Sequence, residues 1–310
     1  MFKGVDFWPH DKVFPIMKVR RSFVIASIVV FTLAVALLAT RGLNFGIDFK
    51  GGSLFEIQSK SGAVDIGELR NKLNGLGLGS VQIQQLDEPT DALIRFEEQK
   101  AKDGESSEKA QQNAAEKVQE ALGGDVEIRR TEVVGPAVSG ELAWAGITAV
   151  LFAILGILLY IWFRFEWQFA IASIVALVHD ITITLGVFSI LGLDFGLSEV
   201  AALLTLAGYS INDTVVVFDR IRENLRRYKK MALDQLMNLS INETLSRTVL
   251  TSGTTLLAVL SIYVFGTEVI KGFAFAMLFG ILIGTWSSIF VASPFLLWIG
   301  VKRDWSGIAK

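Results

Sequence analysis

The chain has 310 residues, of which 52% are hydrophobic and only 19% are charged, which is too apolar for an ordinary soluble domain and typical of a membrane protein. Its net charge of -2 gives no reason to expect nucleic acid or another strongly charged partner. It has no cysteine and two histidines, which excludes disulfides and thiolate catalysis and argues against a metal site rich in histidine or cysteine. We therefore expect no metal and no cofactor.

Six apolar segments are long enough to cross a bilayer, because a transmembrane helix needs about 20 predominantly apolar residues. The predicted spans are residues 22–40, 142–163, 167–191, 198–218, 246–267 and 272–301. We expect the first to remain as a permanent span, since no small-residue cleavage site follows it. Gly280 and Gly284 form a small-xxx-small pair, which predicts close helix packing in the last span.

Basic residues in the loops predict the orientation, because Lys and Arg accumulate on the cytoplasmic side of a membrane. They are concentrated in the N-terminal tail, residues 1–21, and in the loop at 219–247, whereas the connection at 192–199 has none. We therefore expect cytoplasmic tails at 1–21 and 302–310, and an exported segment at 41–141.

Residues 41–141 are the only long segment with the composition of a soluble domain, and they include 12 basic and 18 acidic residues. Two helical patterns, DIGELRNKLNGLG and ESSEKAQQNAAEKVQEALGG, alternate there with strand-like runs at 53–58, 81–87, 92–97 and 126–134. The order βαββαβ predicts an α+β, ferredoxin-like domain. It contains no metal-binding or nucleophile pattern, so we expect it to serve in binding and movement, or as a folded spacer.

Asp213 interrupts the fourth span, where an isolated charge costs at least about 2.5 kcal/mol on insertion scales. Polar residues surround it: Tyr209, Ser210, Asn212 and Thr214. This width predicts a polar stripe that faces the interior of a helix bundle. Asp213 then requires a partner, a path for water, or a bound proton.

Arg247 is the candidate partner of Asp213. The fifth helix is expected to begin near Asn242, which places Arg247 about one turn inside the span. The alternative is an arginine that extends to lipid phosphates at the cytoplasmic surface. Because a carboxylate holds its proton more tightly when desolvated and less tightly beside an arginine, a pair that separates and re-forms can carry protons.

His179 and Asp180 are adjacent in the third span, and they point to different faces because neighbouring residues on a helix diverge. Asp180 is a candidate second relay group, and histidine titrates near neutral pH. The alternative is a structural carboxylate that accepts hydrogen bonds from nearby hydroxyls.

Three stretches together closely resemble the SecF family: FGIDFKGG (45–52), AGYSINDTVVVFDRIREN (207–224) and LSRTVLTSGTT (245–255). The resemblance extends over essentially the whole chain, including the six spans and the large loop after the first. Members of this family are subunits of the bacterial SecDF protein-export complex and belong to the RND superfamily of proton-driven transporters. In the first stretch the motif residues are Gly46, Asp48, Gly51 and Gly52.

The resemblance implies a polytopic α-helical protein of the bacterial inner membrane, with an RND-like half-bundle of six helices and a periplasmic domain. It implies a secondary-active transport component, not an enzyme, whose partners are SecD, the SecYEG translocon with its accessory membrane subunits, and the unfolded exported polypeptide. It also implies that Asp213 and Arg247 are the essential membrane carboxylate and arginine of a proton relay. It assigns no role to His179 or Asp180.

No G-x-x-x-x-G-K-[ST] loop for nucleotide binding occurs, so protons are the expected coupling ion. The hypothesis is that protonation of Asp213 alters its pairing with Arg247 and swings the exported domain through the connections at 41–52 and 135–141. Gly135, Pro136 and Gly140 make the second connection a predicted hinge.

Three alternatives come from other functional classes. The first is half of a small-molecule or lipid exporter of the RND superfamily, which would pair with itself or with a partner. The second is an intramembrane aspartyl protease that uses Asp180 and Asp213, although the glycine-rich aspartate motif of such enzymes is absent. The third is a passive scaffold for the translocon.

Overall fold

The structure is a computed structural model that describes residues 13–79, 81–86, 88–99 and 106–301. The chain divides into two compact units, one of Met1–Asn44 with Val150–Lys310 and one of Phe45–Ala149. The first twelve residues of the predicted N-terminal tail and the whole predicted tail at 302–310 lie outside the described residues.

The secondary structure alternates long helices with one compact α+β region. In chain order the elements are α1 (Ile16–Thr40), β1 (Asn44–Phe45), α2 (Ile47–Lys50), β2 (Gly52–Ser59), α3 (Ile66–Asn74), β3 (Val81–Gln85), β4 (Asp91–Phe96), α4 (Ser107–Leu122), β5 (Val126–Val134), α5 (Pro136–Arg164), α6 (Trp167–Leu191), β6 (Asp194–Phe195), α7 (Leu197–Arg227), α8 (Leu233–Phe265), α9 (Glu268–Ser287) and α10 (Ser293–Ile299). A π-helical segment at Ser288–Ala292 joins α9 to α10.

Six helical stretches of the described chain are long and apolar enough to cross a membrane, and the last of them runs through α9, the π-helical segment and α10. About half of the most apolar part of α6, α7 and the last stretch is buried, against 17% or less in α1, α5 and α8. Helices α6, α7 and α9 therefore form the interior of the membrane unit, while α1, α5 and α8 present apolar side chains outward.

The loop predicted at 219–247 is instead mostly helical, because α7 continues to Arg227 and α8 already begins at Leu233. Buried apolar side chains of both helices belong to one core cluster: Phe218, Ile221, Leu225, Leu236, Met237 and Ile241. Asn224 donates to Ser240 Oγ at 3.0 Å and to Glu243 Oε2 at 2.7 Å, which ties the two helices together between their apolar contacts. In the sequence, many charged residues lie among these apolar positions, and the segment was therefore predicted as a loop.

The unit of residues 45–149 contains a four-stranded sheet in the order β3-β4-β2-β5, with every neighbouring pair antiparallel. The order of elements is the predicted βαββαβ, and each βαβ half is split by a strand of the other half. Strand β3 ends at Gln85, before the predicted end at residue 87, which lies outside the described residues. The largest fully buried side chains of this unit form an apolar core: Phe55, Ile57, Leu73, Ile94 and Phe96.

The stretch FGIDFKGG forms one helical turn and then a tight entry into β2. Gly46 precedes α2 in an extended conformation, and Asp48 lies in its first turn. Gly51 and Gly52 have φ angles of 72° and 121°, a region in which side chains are strongly disfavoured. A Cβ atom at Gly52 would also lie 2.5 Å from the Phe96 carbonyl oxygen. The paired glycines therefore allow β2 to begin against β4.

The hinge predicted at 135–141 is a helix from Pro136 onward, and this part of the expectation was wrong. Proline is favoured in the first turn of a helix because its fixed φ suits the helix and its missing N–H leaves no partner unsatisfied. Gly140 lies inside α5, and no Cβ placed there would meet an atom within 4 Å. Only Gly135, between β5 and α5, remains outside regular structure.

Candidate functional site

Asp213 lies in the interior of the membrane unit, on α7, with 7% of its surface exposed. Its Oδ1 accepts a hydrogen bond from Thr248 Oγ1 of α8 at 2.7 Å. Its Oδ2 accepts from the hydroxyl of Ser288, the first residue of the π-helical segment. Two hydroxyls from two other helical elements therefore hold the carboxylate.

Asp180 lies on α6 and is fully buried. Its Oδ2 accepts from Ser210 Oγ of α7 at 2.6 Å and from Ser287 Oγ of α9 at 2.7 Å. Its Oδ1 lies 2.9 Å from Nδ1 of the adjacent His179. Side chains from three helices thus converge on this second carboxylate. Both alternatives considered for Asp180, a relay group and a structural carboxylate, are compatible with these hydrogen bonds.

Small residues on α9 allow these helices to approach. A Cβ atom at Gly280 would lie 2.4 Å from Leu206 Cδ2, and one at Gly284 would lie 3.2 Å from Ser210 Cβ. The two glycines are four residues apart and therefore lie on one face of α9, against α7. The contact brings Ser287 and Ser288, one turn further along α9, within reach of both carboxylates.

Arg247 does not pair directly with Asp213. Its side chain is exposed, and it makes no side-chain hydrogen bond or ion pair within 4 Å to any residue that the structure describes. Because adjacent helical residues diverge, the interior position on α8 belongs to Thr248. Arg247 also lies about four turns inside α8, not one turn, since that helix begins at Leu233.

The predicted polar stripe on α7 is divided between different faces. Ser210 contacts Asp180, and Thr214 is fully buried with no hydrogen-bond partner for its hydroxyl among the described residues. The hydroxyl of Tyr209 is likewise buried and unpartnered in the described chain. Asn212 is exposed, so the expectation that it faces the interior was wrong.

His179 connects the Asp180 site to α1. Its ring stacks on Phe31 with the ring centroids 6.2 Å apart. Its Nε2 atom is buried without a partner in the described part of the chain, and the residue borders an apolar cavity between α1, α6 and α10. One ring nitrogen therefore serves the carboxylate while the other faces an apolar environment.

Three hydroxyl groups that hold the carboxylates, those of Thr248, Ser287 and Ser288, were not predicted from the sequence. The available signal was the pair of serines in the apolar run GTWSSIFVAS. The π-helical segment begins at this pair, and Ser293 Oγ donates to the Ser288 carbonyl oxygen at 3.0 Å. Such segments are rare and frequently occur at functional sites.

The Asp180 and Asp213 carboxylates occupy separate sites. No hydrogen bond joins them, and each has its own hydroxyl donors. An aspartyl protease instead needs two carboxylates that share a site. Among the described residues, no group of three His, Asp or Glu side chains could hold a metal ion. Each carboxylate is therefore enclosed by hydroxyl groups of its own.

Two family profiles match the chain: protein export membrane protein SecD/SecF, C-terminal, over residues 114–302, and the SecD/SecF GG motif over residues 36–63. The chain is 49% identical over 291 residues to the protein translocase subunit SecF of Rhodobacter capsulatus, covering 90% of this chain and 86% of the relative. It is 46% identical over 291 residues to SecF of Desulfurispirillum indicum, covering 92% and 91%.

The fold is similar to the crystal structure of SecDF, a translocon-associated membrane protein from Thermus thermophilus, with a TM-score of 0.83 and 37% sequence identity. The similarity covers 95% of this chain, which spans 40% of the SecDF chain. The matched ranges of this chain cover the paired glycines at 51 and 52 and the carboxylates of Asp180 and Asp213. The chain therefore belongs to the SecD/SecF family of multi-pass protein-export membrane proteins.

Proposed function

We infer that the chain is the SecF-type subunit of a proton-driven protein translocase and that Asp213 carries the proton. The observation that supports this most directly is the buried Asp213 carboxylate, held by the hydroxyls of Thr248 and Ser288. A hydroxyl donates to a carboxylate and accepts from a carboxylic acid. The same surroundings therefore satisfy both protonation states, as a carrier that loads and unloads a proton requires.

Arg247 supplies the second part of the proposed relay. In the present arrangement it influences Asp213 through space without contacting it. We propose that it moves toward the carboxylate in another conformation, where its positive charge favours proton release. The two arrangements then differ in how tightly Asp213 holds its proton, and helix movement and proton transfer become coupled.

Protons can supply the energy for this work. A charge that crosses a membrane potential of 100 mV releases about 2.3 kcal/mol. In the proposed cycle, protons move inward through the bundle and the movement is transmitted to the exported domain, which holds or pulls the unfolded polypeptide. Assistance in late steps of export, after the polypeptide enters the translocon, fits a machine with no nucleotide-binding loop in its sequence.

The proposed partners are SecD, the SecYEG translocon with its accessory membrane subunits, and the exported polypeptide. Within the membrane spans the outward faces of α1 and α5 are largely apolar, as expected of surfaces against lipid or another membrane helix, whereas the outward face of α8 also carries Arg247, Thr254 and Ser261. This chain also spans 40% of the SecDF chain that it resembles. We propose that SecD corresponds to the remainder of that chain and supplies a second set of spans. We propose the orientation that the basic residues of the loops predict. Both termini then lie on the cytoplasmic side of the bacterial inner membrane, and the domain at 41–141 is exported.

The test is proton-dependent export of an unfolded polypeptide in sealed vesicles that contain the chain together with SecD. Asp213→Asn should abolish the part of export that depends on the proton gradient while SecD still copurifies. Asp219→Asn is the matched control on the same helix, because Asp219 has a side chain 59% exposed and pairs with Arg164 at 3.2 Å. If Arg247 acts through Asp213, the double variant should be no worse than Asp213→Asn.

Unimpaired proton-dependent export by Asp213→Asn would overturn the proposal and would favour the alternative of a passive scaffold for the translocon. Copurification of the chain with itself and not with SecD would instead favour an RND-type exporter half. The two outcomes are separable because the first is read from transport and the second from composition of the purified complex.

A further inference from the structure

Two consecutive residues of one helix serve the two buried carboxylates of the membrane unit. Ser287 Oγ donates to Asp180 at 2.7 Å, and the Ser288 hydroxyl donates to Asp213. The carboxylates themselves belong to α6 and α7, and both are contacted where α9 ends at Ser287 and the π-helical segment begins at Ser288. The proposed relay uses Asp213 and Arg247 and leaves this connection without a role.

Each of these serines has a second acceptor on its own helix. Ser287 Oγ lies 3.1 Å from the Gly284 carbonyl oxygen, and Ser288 Oγ lies 3.0 Å from the Thr285 carbonyl oxygen. A hydroxyl has one hydrogen to donate. When the carboxylate takes up a proton, the serine can accept from the carboxylic acid and turn its own hydrogen to the helix carbonyl.

This exchange occurs where the backbone changes from α-helix to π-helix. The π-helical segment starts at Ser288, whose carbonyl oxygen accepts from Ser293 Oγ at 3.0 Å, five residues along the chain. A hydrogen that moves onto the carbonyl of Gly284 or Thr285 competes with the backbone N–H groups that follow. The bonding of this turn therefore depends on the protonation state of both carboxylates.

The charges around the two sites are unbalanced when both carboxylates are ionised. In the described chain, the titratable or charged side chains along this part of the helices are His179 on α6, Tyr209 on α7 and Arg247 on α8. Helices α1 and α9 contribute no charged residue within 22–40 or 272–287. Only His179 contacts a carboxylate directly, and Arg247 acts from a distance, so ionising both carboxylates at once is costly.

We propose that Asp180 is a second proton-binding site of the membrane unit and that Ser287 and Ser288 couple it to Asp213, so that protonation of one carboxylate alters protonation of the other. This inference rests on the proposed function of Asp213 as a proton carrier. His179 is a positioning residue for Asp180, through its Nδ1 contact. Nε2 of His179 has no hydrogen-bond partner among the described residues, so the hydroxyls of Ser210 and Ser287 are the polar contacts of Asp180 with other helices.

The test is infrared difference spectroscopy of the full chain reconstituted in vesicles, recorded over a pH titration. Buried carboxylic acids give a C=O stretching signal that disappears on ionisation. One signal should be lost in Asp180→Asn and a different one in Asp213→Asn. In Asp180→Asn the midpoint of the remaining Asp213 signal should move by about one pH unit toward lower pH, because a neighbouring negative charge has been removed.

Ser287→Ala should move the same midpoint while leaving both signals present. The matched control is Ser261→Ala, since Ser261 is exposed on α8 and donates only to the Leu257 carbonyl oxygen at 2.9 Å, and it should change neither signal. Circular dichroism of each variant checks that the helices remain folded.

The coupling is refuted if Asp180→Asn removes no carboxyl signal, or if the midpoint of the Asp213 signal is the same in Asp180→Asn as in the unsubstituted chain. Either result leaves the transport role of Asp213 intact, because the vesicle export assay tests that role separately. Conversely, normal export by Asp213→Asn would remove the carrier role whatever the spectra show.

Discussion

The two units of this chain differ in what they expose and in the polar groups they enclose. The unit of residues 45–149 buries aromatic and aliphatic side chains such as Phe96, which is 1% exposed. The membrane unit also buries such side chains, Phe218 among them, but it exposes many others, with Phe163 97% exposed, and it encloses the carboxylates of Asp180 and Asp213. In water, removal of apolar surface stabilises the fold, whereas in lipid apolar surface gains little from burial and helices associate through close packing and hydrogen bonds. A buried polar residue in the membrane unit is therefore both a contact that holds helices together and a candidate for function.

The largest expected effect comes from one substitution made in both units. Phe96→Ala removes a fully buried ring from the sheet core and should lower the free energy of unfolding of that unit by about 3 to 5 kcal/mol. Phe163→Ala, at a side chain that faces outward, should change stability by less than about 0.5 kcal/mol. Native-state hydrogen exchange of the full chain measures both. Equal losses would show that the outward-facing Phe163 contributes as much to stability as the buried Phe96.

Next in size is Gly52→Ala, at the start of β2. Its φ of 121° and the 2.5 Å approach to the Phe96 carbonyl oxygen predict a loss of about 2 to 3 kcal/mol. Gly62→Ala is the matched control, because Gly62 has a φ of 119° and open space around it, so the substitution tests backbone strain alone. Hydrogen exchange of the same unit should find Gly62→Ala the milder change. A smaller effect at Gly52 than at Gly62 would argue against the close β2–β4 contact.

Thr248→Val tests the polar interior of the membrane unit. The substitution keeps the shape of the side chain and removes one hydrogen bond to Asp213, which should cost about 1 to 3 kcal/mol if the carboxylate is charged. We expect an altered pH dependence of proton-driven export in vesicles. Thr254→Val is the control, since Thr254 is exposed on the same helix and donates at 3.0 Å to the Leu250 carbonyl oxygen. An identical pH profile for both variants would contradict the proposed importance of this contact.

The smallest effect concerns close packing in the membrane unit. Gly280→Ala places a methyl group 2.4 Å from the flexible end of Leu206, which can partly move aside, so the expected loss is about 1 kcal/mol. Gly253→Ala meets no atom within 4 Å and should be neutral or slightly stabilising, because alanine favours a helix. Thermal unfolding in detergent measures both. A stabilising Gly280→Ala would show that α7 and α9 are not in tight contact.

Much of the architecture was predictable because it depends on local patterns. The spans follow from the length of apolar runs, and the βαββαβ order follows from alternation of period-two and helical spacing in 41–141. The buried position of Asp213 was likewise expected, since a carboxylate inside an apolar helix must face the interior. Where charges were dense, as at 219–247, the same reasoning predicted a loop, although a few buried apolar residues extend both helices.

The spans, the composition of the domain at 41–141 and the presence of carboxylates within the spans all follow from the sequence alone. The contacts of Asp213 with Thr248 and Ser288 instead of Arg247, and of Ser287 with Asp180, appear only in the folded chain. The physical reason is that apolar length and periodicity are properties of one segment. A hydrogen-bond partner depends on the rotation and crossing of separate helices, and a step of one residue turns a side chain by about 100°.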